Sequence, residues 1–326
     1  MARKQAQIVG VGLGAALPGL RVSYRFLDGC GDRIPDRPLA EIGRKGLFTE
    51  DLERALAAGD IDIAVHSLKD LPTGQSVDAT LAAVGRRETG REALVLPRGG
   101  LETGGGGGSA SGEELLRLLP RGAVIGTSSL RRECQITRAR PDIQIRPVRG
   151  NVGTRLSKLD EGRFDALVLA LTGLRRLGVD RPAAAFGPEW LPAPGQGALA
   201  VQCLPSRREV WAAAAHLDHE ETRAEVLAER ALAAGLGADC RTPVAARARV
   251  DTDTTATAGT GPATLTIRAA VYDVGGGPPA AVSLKGTAAM TGSTDAPGAL
   301  GRAAAMELLE AGGGEYVARA RDQGAS

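Results

Sequence analysis

Gly126-Thr127-Ser128-Ser129-Leu130-Arg131-Arg132 and Arg149-Gly150-Asn151-Val152-Gly153-Thr154-Arg155 are the two stretches whose reading decides the fold. Each follows a short apolar run, Ala123-Val124-Ile125 before the first and Ile143-Gln144-Ile145 before the second, and each precedes residues with helical spacing. That order places both where a parallel strand ends and a helix begins. Ser128 or Ser129 can cap the first helix, leaving backbone N–H groups at its start to attract anions. Arg131 and Arg132 then fall in a first turn whose dipole disfavours each cation by roughly 0.3–1 kcal/mol. A bound carboxylate or phosphate removes that conflict, so the junctions read as anion sites.

The same rhythm extends outward. Upstream, the pattern predicts a strand at Arg21–Leu27, a loop at Asp28–Leu39, a helix at Thr49–Ala58 and a strand at Ile61–Val65. The last of these delivers His66-Ser67-Leu68-Lys69-Asp70-Leu71-Pro72 at its end, where open α/β sheets place ligand-binding groups. Strands at Ala79–Val84 and Ala93–Leu96 follow, then a glycine-rich surface insertion from Arg98 to Gly112. After a helix at Glu113–Leu119 and the two junctions, a strand at Asp165–Leu171 ends in Thr172-Gly173-Leu174-Arg175-Arg176. Leu191–Gly197 is rich in Pro and Gly and reads as an interdomain crossing. Beyond Cys203 come an Ala/Glu-rich helix at Glu220–Ala234, β runs at Pro243–Val250, Ala263–Tyr272 and Ala281–Ala288, and helices near Leu300–Ala311 and Glu315–Arg321. The expected fold class is α/β: two lobes with mainly parallel sheets facing one cleft, plus a small C-terminal α+β domain.

Composition narrows the function. A chain of 326 residues, 43% hydrophobic and 24% charged, can bury real cores. Its net charge is only +2, so the arginines are a local concentration, and aromatics at 3% are too few for base-stacking platforms. Nucleic-acid and membrane-surface binding are therefore not expected. Cys30, Cys134, Cys203 and Cys240 form no C-x-x-C pair, and with three histidines in all no metal site is expected. No apolar stretch reaches the length of a membrane span and the first residues lack a secretory core, which makes the cytoplasm the expected location.

Two residues stand out for chemistry. Asp70 is the only carboxylate in its turn and adjoins Lys69. It suits an ordinary turn equally well, but facing arginine-bound carboxylates it can exchange protons with a nitrogen leaving group or stabilise a cation. Cys240 lies in a helix-to-strand loop beside Arg241, which favours the thiolate, while Asp239 opposes it.

Gly43-Arg44-Lys45-Gly46-Leu47-Phe48, Asp62–Asp70, Gly126–Arg132, Arg149–Arg155, Gly195-Gln196-Gly197 and Cys240–Pro243 together resemble the porphobilinogen deaminase (hydroxymethylbilane synthase) family, in family order over nearly the whole chain. The resemblance implies two lobes like type II periplasmic binding proteins, domain 1 at residues 1–88 with 193–206 and domain 2 at 89–192, and a third domain at 207–326. It implies a dipyrromethane cofactor held by a thioether to Cys240. On this primer four porphobilinogen molecules condense head to tail with loss of ammonia, before hydrolysis releases the linear tetrapyrrole. Asp70 is the implied catalytic residue, handling the ammonia proton and the azafulvenium cation. Lys69, Thr127, Ser128, Ser129, Arg131, Arg132 and Arg155 are implied to bind the cofactor, and Lys45, Arg149 and Arg176 the substrate. Guanidinium forks suit the acetate and propionate groups of each pyrrole. His66 and Gln196 match the family but read as packing and crossing contacts. A monomer acting on a small molecule, with no nucleic-acid or membrane partner, is expected.

Family members open with a strand ending in Arg-x-Ser and a helix containing Leu-Ala-x-x-Gln, and Met1–Gln5 resembles the middle of that helix. The first strand is thus expected upstream of Met1, in a shortened gene model, and an inactive member of the family is the corresponding alternative. Gly29-Cys30-Gly31-Asp32 and Asp239 also depart from the family pattern. Two rivals remain: a non-catalytic carboxylate-binding protein of two lobes, and a nicotinamide oxidoreductase suggested by Gly10-Val11-Gly12-Leu13-Gly14-Ala15. The second is disfavoured because Ala6–Val9 is too short for the strand that fingerprint requires.

Overall fold

The computed structural model describes residues 1–27, 49–73, 80–100, 110–239, 241–251, 263–287 and 295–323. Lys45, Cys30 and Cys240 lie outside them. In the first lobe, β1 (Ala64–Ser67), β8 (Leu199–Cys203) and β2 (Thr80–Val84) form a sheet in the order β1-β8-β2. Helix α1 (Ala2–Ala16) lays Val9 and Leu13 on it beside Ala83, Val201 and Cys203. The glycines of the dinucleotide-like run sit inside α1 and are led into by helix rather than by the strand that fingerprint needs, so that rival loses its footing. Gly10 lies against the Tyr24 side chain, close enough that an added Cβ would displace its ring. Residues 20–27 cross α1 there, with Arg3 5.1 Å from the Phe26 ring. The alternation of Leu20, Val22, Tyr24 and Phe26 suggested a strand, but this segment has no ladder partner among the described residues.

The second lobe holds β3 (Glu92–Val95), β4 (Val124–Gly126), β5 (Gln144–Arg146), β6 (Ala166–Ala170) and β7 (Ala183–Ala185), in the order β5-β4-β6-β3-β7. Leu94 and Ile125 pack one face with Ile136, Phe186 and Trp190; Val95, Leu167 and Leu169 pack the other with Leu159 and Leu174. A sheet covered on both sides explains its continuous apolar strands.

Parallel pairing, expected to predominate in the lobes, is confined to β5-β4-β6. Strand β3 runs antiparallel to β6 and β7, and β8 antiparallel to β1 and β2. The cause lies in the connections. Strands β1, β4, β5 and β6 end at the turns described above, whereas β3 and β8 begin just after the chain has crossed between lobes. They therefore run away from the crossing, against their neighbours.

The third domain sets α8 (Glu220–Gly235) and α9 (Ala296–Glu310) on the antiparallel sheet β11-β10-β9, comprising β9 (Val244–Asp251), β10 (Thr264–Val271) and β11 (Ala280–Thr287). Leu232, Leu265, Ile267, Val271 and Leu308 fill its core. Its other face meets the second lobe through Ala245, Ala270 and Tyr272 against Leu191.

One buried carboxylate joins the parts. Glu229 of α8, fully buried, accepts both Nη groups of Arg87 at 2.8 and 2.9 Å, Gly195 N–H at 2.6 Å and Ala248 N–H at 2.7 Å. Glu225, one turn earlier, meets Arg247 at 3.1 Å, and burial pushes its carboxyl up to about 7 against the pull of Arg87. Glu229→Ala would strand Arg87 and two backbone donors, costing about 3–5 kcal/mol by the measure of broken buried pairs, to be read from urea unfolding; a loss under about 1 kcal/mol would contradict this role.

His66, also buried in β1, leaves its Nε2 without a hydrogen-bond partner. Desolvation lowers its pKa to about 4, and Gln202 offsets only part of that. The unfolded chain therefore takes up this proton first. His66 removes stability as pH falls from 6.5 towards about 4 and adds no pH dependence above that window. An NMR titration should find the ring neutral at pH 5, and a midpoint near 6.5 would contradict the burial effect.

Candidate functional site

Thr127 directly follows β4; its N–H donates to Arg146 O at 3.0 Å and its hydroxyl accepts from Ser129 N–H at 3.2 Å. Ser128 Oγ donates to Val148 O at 2.9 Å and accepts from Val148 N–H at 3.1 Å, lacing the two junctions together. Ser129 holds the N-cap position of α4 (Leu130–Ala139) without a side-chain cap bond. The hydroxyls thus order the turns, while the serine caps expected from sequence do not form. At the second junction Asn151 caps α5 (Val152–Asp160) by accepting Thr154 N–H at 3.0 Å. Arg155 Nε donates to Gly150 O at 2.8 Å, and half-buried Arg149 offers its carbonyl to Lys158 at 3.2 Å.

Arg131 and Arg132 do not wait for an external anion to relieve their position in the helix. Glu92, at the start of β3 and 0% exposed, takes Arg131 Nη2 on one oxygen at 2.5 Å and Arg132 Nη2 on the other at 2.8 Å. Each guanidinium has a second anchor, Leu191 O for Arg131 at 3.0 Å and Val168 O for Arg132 at 2.9 Å. Burial opposes ionisation of Glu92, but Arg132 and Arg131 outweigh it and hold the carboxyl well below the usual range. Glu92 was not among the residues expected at the site. Its signal was a lone acid opening an otherwise apolar strand.

Opposite them, β1 ends in the single 3-10 turn Leu68–Asp70. Asp70 is exposed. Lys69 Nζ donates to Gln196 Oε1 at 3.4 Å, and Gln196 Nε2 donates to Gly90 O at 2.8 Å. Lys69 is lowered from its ordinary pKa by desolvation; Asp70 and Glu92 oppose the shift, and Arg132 and Arg131 add to it. Its contact with solvent limits the desolvation. Arg155 is lowered likewise by burial, then by Arg132, with Asp70 opposing. These mutual influences bring Asp70, Lys69, Glu92, Arg131, Arg132 and Arg155 into one electrostatic neighbourhood, although they come from both lobes.

Arg176 is engaged at the crossing. Its Nε donates to Glu88 Oε1 at 2.6 Å and its Nη2 to Gly197 O at 2.9 Å. With Glu88, Lys4, Ile8, Arg175 and Leu177 it lines a cavity of about 430 Å³. Gly197 has φ +93°, and a Cβ there would strike the Thr89 backbone, so the crossing requires glycine. Cys134 packs against the Leu191 cluster, and burial pushes its thiol up to about 12; Cys203 is buried and raised by the same cause. Neither is an activated nucleophile.

Four cations against two carboxylates suit a ligand rich in carboxylates, with one exposed acid within their field. The buried Arg132 Nε has no hydrogen-bond partner, which fits a cleft with donor capacity left over. These residues therefore fit a dipyrromethane bearing acetate and propionate groups. No helix among the described residues is long and apolar enough to cross a membrane.

Comparison with known proteins agrees with the chemistry. Residues 1–212 match the family model "Porphobilinogen deaminase, dipyromethane cofactor binding domain", and residues 223–310 match "Porphobilinogen deaminase, C-terminal domain". The porphobilinogen deaminase of Chromobacterium violaceum is 42% identical over 98% of this chain and 94% of its own length. That of Desulforudis audaxviator is 42% identical over 98% and 95%. Among solved structures, a Bordetella pertussis BvgS VFT2 domain covers 65% of this chain and 76% of its own at 13% identity, with a TM-score of 0.37, too loose a likeness to add weight. On near-complete coverage by both family models and by these relatives, the chain belongs to the porphobilinogen deaminase family.

Proposed function

We propose that this chain is a hydroxymethylbilane synthase, a transferase that condenses four porphobilinogen molecules onto a covalent dipyrromethane and releases the linear tetrapyrrole by hydrolysis. The observation that carries this reading is Asp70 in the field of Lys69 and Arg155, with Arg131 and Arg132 held nearby by Glu92. Porphobilinogen, a carboxylate-bearing aminomethylpyrrole, suits such a cleft. The bound dipyrromethane supplies the pyrrole carbon on which the chain grows.

Asp70 gives its proton to the aminomethyl nitrogen so that ammonia leaves, and as a carboxylate it faces the positive charge left on the substrate. Arg131, Arg132 and Arg155, with Thr127, Ser128 and Ser129 ordering the turns, hold acetate and propionate groups; Arg149, Arg176 and Lys45 receive the incoming substrate. Cys240 provides the thioether, turning each encounter into a positioned reaction. Domain 1 spans 1–88 with 193–206, domain 2 spans 89–192 and domain 3 spans 207–326, so the cleft and tether belong to three separate units. The enzyme acts as a cytoplasmic monomer without nucleic-acid or membrane partners.

Intact mass spectrometry should find a two-pyrrole increment that Cys240→Ser abolishes; an unmodified parent would contradict the tether. Asp70→Asn should keep that increment and lose turnover by about 100-fold or more. Near-normal rates would remove the proton-transfer role and leave a carboxylate-binding protein as the better reading.

A further inference from the structure

The two clamp arginines are not equally free on all sides. Each has an Nη group fixed to Glu92 and another fixed to a backbone carbonyl, so a single buried acid neutralises one of their two charges from behind the cleft. Glu92 also acts on Lys69, which faces the cleft from the other lobe. Glu92 itself is fully buried, out of a substrate's reach. It sets the field that a substrate meets.

We propose that Glu92 is a positioning residue that limits how tightly the cleft grips carboxylates, by holding Arg131 and Arg132 from behind and cancelling part of their charge. This rests on the function proposed above. A growing chain adds carboxylates at every round, and each must leave the guanidinium that held it before the next porphobilinogen can react. An uncompensated arginine pair would bind strongly and release slowly, which favours the ground state over turnover. The buried acid tempers that grip while keeping both guanidiniums in place. The residue does this through the arginines, so its effect should be on affinity and on its salt dependence, which a purely structural role would not raise.

The test uses the full chain carrying Asp70→Asn, so that bound porphobilinogen is not consumed, with equilibrium dialysis as the readout. Adding Glu92→Gln should tighten porphobilinogen binding by roughly tenfold, equivalent to about 1.4 kcal/mol, and steepen its loss with salt. Unchanged or weaker binding by a folded protein, checked by its melting curve, would overturn the proposal. Glu92→Asp keeps the charge and shortens the reach. It should bind within about twofold of the parent, since a limited change in salt-bridge geometry leaves most of the field intact. Tenfold weaker binding in this variant would instead make Glu92 a packing element and overturn the proposal, even if Glu92→Gln failed to fold. Porphobilinogen binding by the Asp70→Asn parent tests the function itself, so its absence would count against that reading rather than against Glu92.

Discussion

Like charges gathered at the mouth of one cleft repel each other, and much of this fold is arranged to make that gathering tolerable. Arg131 and Arg132 are buried, which would be costly for unpaired guanidiniums, yet one carboxylate and two backbone carbonyls receive them. The same solution recurs away from the cleft, where Glu229 of α8 receives Arg87 and two backbone donors, Gly195 of the crossing and Ala248 of β9. Buried acids thus stand behind the exposed chemistry. They fix where the cationic groups point, and the cleft inherits its shape from them.

The strand-to-helix junctions were legible because each couples an apolar run to a hydroxyl, a glycine and an arginine, a combination with few structural uses. Helix α8 was legible from its Ala/Glu-rich composition and the glycines that follow, and it ends one residue beyond the expected boundary. Strand direction was not legible. An apolar run carries no mark of which way it is traversed relative to its neighbour, and the antiparallel setting of β3 and β8 follows from where the chain crosses between lobes. Residues 21–27 misled for a related reason: alternation describes a surface with two faces, and here one face lies over α1 without a ladder partner among the described residues.

At the site, the residues that meet a ligand were easier to see than those that organise them. Asp70 and Lys69 sit in a short polar turn at a strand end, an address with a recognisable meaning. Glu92 and Glu88 do not, because an acid beside apolar residues looks the same from sequence whether it is solvated or paired. Only the three-dimensional neighbour reveals that Glu92 answers two arginines some 40 positions away. The reading of Ser129 as a cap erred in the other direction, since its backbone N–H found Thr127 and its hydroxyl was left out of the cap.

The two lobes are linked by a pair of adjacent strands of backbone rather than a single thread. Gln196 donates to Gly90 O across the pair, Glu88 N–H reaches Gly197 O at 3.4 Å, and Arg176 ties Glu88 to the same carbonyl. A double tether of this kind bends about the line joining its two members and resists torsion about any other. Of the motions open to the lobes, bending about that line therefore meets the least resistance, and Lys69, bonded to Gln196, lies beside it.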